Sequence, residues 1–68
     1  MDKFAERLKE LRTEKGLSQN QLAKNVGISK NAIQQWESQT REPSARYIIL
    51  LSRYFGVSTD YLLGEKDE

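Results

Sequence analysis

Residues that start and stop helices are spaced along this chain at short intervals, and that spacing constrains the fold more than any other feature. Glycines stand at positions 16, 27, 56 and 64, and Ser18, Ser29, Ser44 and Ser58 each precede a segment with helical character. A serine just ahead of a helix accepts an otherwise unpaired amide N–H, and a glycine just after one takes the left-handed backbone that closes it. Between Asp2 and Lys15, Phe4, Leu8 and Leu11 recur at helical spacing amid charges, predicting an amphipathic helix stopped by Gly16. Ser18-Gln19-Asn20-Gln21 reads as a capping box that opens a second helix, from Gln19 to about Asn25, ended at Gly27. Ser29 caps a third, Lys30 to Ser38, and Ser44, just after the single proline, caps a fourth that runs to Phe55. Ser58 caps a short fifth, Thr59 to Leu63.

The run Tyr47-Ile48-Ile49-Leu50-Leu51 would suit a buried strand in isolation, but the window between its cap and Gly56 is too long for one. Five short helices with short connections predict an all-α, compact five-helix domain over residues 1–64, with residues 65–68 as an acidic disordered tail. Helical phase assigns the core to Leu8, Leu11, Leu17, Leu22, Val26, Ile28, Ile33, Trp36, Ile48, Leu51, Phe55, Val57 and Leu62. A chain of 68 residues buries only roughly 60% of its unfolded surface, so there is no room for a second domain or a large enclosed cavity.

Several function classes fall away on composition. Cysteine and histidine are absent, which removes disulfides, thiolate and imidazole metal sites, and nearly every nucleophile–base pair built on those side chains. With no paired carboxylates at a cleft and no Gly-rich phosphate loop, the chain is not expected to be an enzyme. No cofactor, metal or small-molecule ligand is expected either. Its longest apolar run, residues 47–51, falls far short of a membrane span, and charges interrupt the start too early for a signal peptide. The expectation is a soluble cytoplasmic protein with no membrane partner.

Net charge is +1, too small by itself to argue for nucleic acid, but it is unevenly distributed. Residues 65–68 carry −2, leaving +3 on residues 1–64, and the stretch from Lys15 to Arg46 holds five basic residues against two acidic ones.

The second and third helices carry the functional signal. Ala23 is small where the two would approach closely, and Gly27 sits where a tight turn needs positive φ, an arrangement expected of a helix-turn-helix. At 100° per residue, Lys30, Asn31, Gln34 and Gln35 cluster on one side of the third helix, opposite Ala32, Ile33 and Trp36. An ordinary solvated face mixes Glu with Lys; this one has no carboxylate. Asn and Gln bond the N6/N7 edge of adenine, and Lys donates to guanine O6/N7, so a DNA major groove is the natural partner of such a face.

Three segments carry a resemblance: Leu17-Ser18-Gln19-Asn20-Gln21-Leu22-Ala23, Val26-Gly27-Ile28-Ser29 and Ile33-Gln34-Gln35-Trp36-Glu37. Together they resemble the Cro/phage-repressor helix-turn-helix family of transcriptional regulators (xenobiotic-response-element type), and Phe55 to Gly64 is similar to that family's closing segment. The match covers roughly residues 7–64. It implies a lambda-repressor-like DNA-binding domain that acts as a homodimer on a near-palindromic double-stranded operator, most often as a repressor. Gln19 would bond a backbone phosphate, as would Ser38, Thr40 and Arg41 in the loop after the third helix, with Arg41 nearest the minor groove. Lys30, Asn31, Gln34 and Gln35 would face base edges, and Tyr61 in the fifth helix would contribute to the dimer. Arg12 and Glu37 match a family ion pair that ties the first helix to the end of the third; that role is structural, outside the DNA site.

One position departs from the family's pattern. After Trp36-Glu37 the family commonly places a polar residue and then glycine, whereas this chain has Ser38-Gln39. Either Gln39 takes the left-handed conformation, at roughly 1–2 kcal/mol relative to glycine, or the third helix ends differently and the loop–phosphate contacts shift. Two other roles would suit the same helices: an antitoxin or restriction-controller regulator with the same DNA domain, and a protein–protein adaptor without DNA binding. The adaptor role leaves the acid-free face unexplained.

Overall fold

The computed structural model describes residues 2–67, in which the helices are α1 (Asp2–Glu14), α2 (Gln19–Val26), α3 (Lys30–Glu37), α4 (Ala45–Phe55) and α5 (Thr59–Leu63), with no strand among the described residues. Expected boundaries hold to within about a residue: α1 stops one short of Lys15, α2 runs one past Asn25, and Ser38 is the C-cap of α3 rather than its last residue. Ser18 forms the full capping box, its hydroxyl accepting from the Gln21 N–H while the Gln21 side chain accepts from the Ser18 N–H at 2.8 Å. Ser29 and Ser58 cap α3 and α5 through the Ala32 and Tyr61 N–H groups. Ser44 is the exception. It occupies the N-cap of α4 with extended backbone, but its hydroxyl makes no capping bond; its carbonyl instead accepts from the Tyr47 and Ile48 N–H groups.

The core gathers one or two side chains from every helix: Phe4 and Leu8, Leu22 and Ala23, Ile33 and Trp36, Ile48 and Leu51, and Leu62. Phe4 corrects the expected core list. Its place near the start of α1 left its partner undefined by periodicity, yet it is fully buried and meets Trp36 edge-on, with ring centroids 6.3 Å apart. Leu11, Leu17, Val26, Ile28, Phe55 and Val57 are half-buried around this centre. Tyr54 and Leu63, which helical phase does not assign to the core, also pack against it as half-buried side chains on α4 and α5, two helices in contact with each other. α1 rests on both α3 and α5, and α2 packs on α3 and α4, so α3 is held from two sides with one flank open.

At the far end, Arg7 on α1 closes the fold. Its guanidinium lies 4.1 Å from the Tyr61 ring centroid and donates to the Tyr61 carbonyl and, at 2.6 Å, to the Lys66 carbonyl. Residues 65–67 are exposed and run beside α1, with the Asp67 carboxylate 3.7 Å from Arg7; residue 68 of the expected tail lies outside the described residues. A side chain at Gly64 would collide with Lys3 Cβ, so the passage out of α5 demands glycine for space as well as for its φ of 84°.

Candidate nucleic-acid interface

Local sequence builds the turn between α2 and α3. Gly27 adopts φ 73° and ψ 33°, and the N–H groups of Gly27 and Ile28 both reach the Ala23 carbonyl, closing α2 in a single step. Ser29 then returns to extended backbone and starts α3 at once. This is the helix-turn-helix expected from Ala23 and Gly27, with Ala23 buried where the helices cross.

On α3, Ile33 and Trp36 are buried, while Lys30, Asn31 and Gln34 are exposed; no other part of the described chain covers them. Gln35 is half-buried. It lies at the edge of an open groove of about 470 Å³, whose walls include Ala32, Trp36, Arg41, Pro43 and Tyr47. Three of the four expected base-facing side chains therefore project freely, and the fourth, half-buried, borders the groove.

Glu37, the single carboxylate of α3, is turned away from this surface. Arg12 Nε donates to Glu37 Oε2 at 2.7 Å and Arg12 Nη2 to Oε1 at 2.9 Å, with the two side chains only 11% and 6% exposed. Arg12 Nη1 also donates to the Leu17 carbonyl at 2.8 Å, so one guanidinium ties α1, the loop before α2 and the end of α3 together. Donation to the Glu37 carboxylate raises the Arg12 pKa above its ordinary value. The Arg12 guanidinium therefore stays charged up through the ordinary guanidinium range, and the stabilisation tied to that raised value is lost only as pH climbs past it while Glu37 is ionised. With its carboxylate neutralised inside, α3 shows the solvent amides and an ammonium.

Sequence reasoning did not foresee the second partner of Glu37. Gln19 Nε2 donates to Glu37 Oε1 at 3.1 Å, leaving its second N–H and its carbonyl oxygen at the N-terminus of α2. The two residues are eighteen apart in sequence and share no periodic signal. Ser38, Thr40 and Arg41 are all exposed, and the Ser38 and Thr40 hydroxyls lie 3.0 Å from each other. Tyr61 is half-buried beneath Arg7. The large apolar side chains that stand exposed among the described residues are Ile49, at 44%, and Leu50, at 38%, on α4. No group of His, Cys, Asp or Glu among the described residues is placed to hold a metal ion, and no helix is long and apolar enough to cross a membrane.

Two short helices joined at a glycine turn, with the second presenting a carboxylate-free face, define a helix-turn-helix domain. Comparison with known proteins agrees: residues 8–62 match the helix-turn-helix family model, and the chain belongs to that family, the Cro/C1-type transcriptional regulators, which are not enzymes. Its relatives include the HTH-type transcriptional regulator ImmR of Bacillus subtilis, 41% identical over 96% of this chain and 50% of ImmR. The repressor protein C2 of Salmonella phage P22 is 40% identical, over 88% of this chain and 28% of C2. The HTH-type transcriptional activator BcrR of Enterococcus faecalis is 39% identical, over 94% of this chain and 31% of BcrR. The chain thus spans half or less of the length of these three relatives.

Proposed function

We propose that this chain binds double-stranded DNA sequence-specifically as a cytoplasmic transcriptional regulator, with α3 in the major groove. The observation that carries this reading is the face of α3 itself. Lys30, Asn31, Gln34 and Gln35 line it, nothing in the described chain covers the first three, and its one acid is consumed internally by Arg12. Lys30, Asn31, Gln34 and Gln35 contact base edges. Gln19, through its remaining N–H and the free amides at the start of α2, takes a phosphate, and Arg41 takes another beside the groove. The Ser38 and Thr40 hydroxyls reach phosphate only by giving up bonds within their own loop.

Two copies acting together, through α5 with Tyr61 at the contact, place two α3 helices in successive major grooves on one face of the duplex, roughly 34 Å apart. Occupancy of a near-palindromic operator then blocks polymerase, and repression is the expected outcome, as in the phage repressor C2. If the pair neutralises ~8 phosphates, log K falls with log salt at a slope near −7, made shallower by the small net charge.

Selection from a pool of random duplexes tests the whole reading. The expected product is a two-fold symmetric sequence with half-site centres about 10 base pairs apart, bound in a salt-dependent manner. No enriched sequence and no salt-dependent binding would refute it. On the selected operator, Gln35→Ala relaxes preference at one base position by ~1–3 kcal/mol, read from competition among single-base variants.

A further inference from the structure

The exposed apolar side chains of α4 do not stand alone. Ile49 and Leu50 are the large hydrophobic residues left open among those described, and they are neighbours. Single exposed apolar residues are ordinary on a protein surface. Here two stand together, with Arg46 one turn before them and Arg53 one turn after, both exposed. At 100° per residue the four fall within one sector of about 100°, on the far side of the helix from buried Ile48 and Leu51. α4 carries no acidic residue. The Arg46 guanidinium lies 5.9 Å from the Tyr47 ring centroid, and Arg53 pairs with no carboxylate among the described residues.

Charge selects what covers this strip. In a two-fold pairing of α4 with its copy, an antiparallel arrangement centred on Ile49 and Leu50 sets Arg46 against Arg53, and a parallel one sets each arginine against itself. Either way cations confront cations, with no acid on the helix to relieve them. A nucleic-acid backbone suits the arginines but leaves Ile49 and Leu50 against phosphate oxygens. The chain's own acidic residues 65–67 run beside α1, with Asp67 at Arg7. An apolar centre with acidic ends is the complement that remains. We propose that the outer face of α4 docks an acidic amphipathic helix of another protein. Two apolar side chains of that helix seat on Ile49 and Leu50, and its Asp or Glu residues a turn to either side pair with Arg46 and Arg53, roughly 10 Å apart along the axis. So small a contact belongs with transient interfaces. The strip shares no residue with the α3 face or with α5, so the inference stands apart from the duplex-binding reading.

The probe is a fluorescent alanine-based peptide of about 18 residues, helical by circular dichroism, with two leucines a turn apart and a glutamate one turn beyond each. A control peptide carries lysine in place of both glutamates. Titrated with the full chain at roughly 0.15 M salt, the acidic peptide binds saturably and the lysine peptide at least about tenfold more weakly. Arg53→Glu reverses that order, and Leu50→Ser weakens the acidic peptide by about tenfold. Both variants keep the wild-type thermal midpoint, as exposed positions do. Lys30→Glu, on α3, leaves peptide binding unchanged, which separates docking on α4 from a general attraction of acids to the amide and ammonium face. Equal binding of the two peptides, no saturation by about 1 mM, or a loss with Lys30→Glu as large as with Arg53→Glu would overturn the inference. So would a dimer in sedimentation that Leu50→Ser dissolves, which gives the strip to a second copy, or a duplex affinity that Leu50→Ser lowers about tenfold, which gives it to DNA. A chain that binds the acidic peptide but no duplex keeps this inference and refutes the proposed function.

Discussion

At each end of α3 the chain turns through a left-handed residue, and the two turns are built by opposite means. Before α3 the residue is Gly27, at φ 73°, where an added Cβ would meet nothing within 4 Å. After α3 it is Gln39, at φ 64°, in a loop stitched by two backbone bonds and a pair of hydroxyls on the Gln35 carbonyl. The first turn works because its residue has no side chain to object, so it needs little around it. The second works because its neighbours over-determine it. Such a turn can carry a side chain outward, which the glycine turn cannot.

The contrast is broken most severely just ahead of the second turn. Glu37→Ala strands the mostly buried guanidinium of Arg12 and releases Gln19, and should cost ~3–5 kcal/mol, read from the urea midpoint at unchanged slope. A loss below about 1 kcal/mol would place the pair with ordinary exposed ion pairs. Next comes the first turn: Gly27→Ala should cost ~1–2 kcal/mol by the same measurement. Because no atom stands near the new methyl group, that figure isolates the backbone penalty that Gln39 bears by nature. A neutral Gly27→Ala would show that the left-handed region carries no penalty here.

The smallest effect separates two serines that look alike in sequence. Ser29→Ala removes a real cap from α3 and should cost ~1 kcal/mol, whereas Ser44→Ala should change stability by only a few tenths. Equal losses in thermal or urea unfolding would mean that the Ser44 hydroxyl caps α4 in solution.

What could be seen in advance follows from range. The capping box of Ser18 and Gln21, the stop at Gly27 and the face of α3 depend on residues within five positions of each other, and helical geometry alone locates them. The Arg12–Glu37 pair spans 25 residues and was reachable only through resemblance to a family. The bond from Gln19 to Glu37 had no signal at all, because it depends on how α2 crosses α3. Ser44 misled for a subtler reason: the N-cap position is written in the sequence, but where the hydroxyl points is decided by its surroundings. Gln39 lay between these cases. Its departure from glycine was visible, but only the packed loop resolves whether the helix or the residue gives way.

The packing of Trp36 has a practical consequence. It is the chain's only indole, dry and wedged between the rings of Phe4 and Tyr47 on the inner side of α3. Its emission should redden sharply when the domain opens, giving an intrinsic optical gauge of melting. Trp36 also lines the open groove that Gln35 and Arg41 border, so a shift in its emission on titration with DNA would report a duplex seated along that groove.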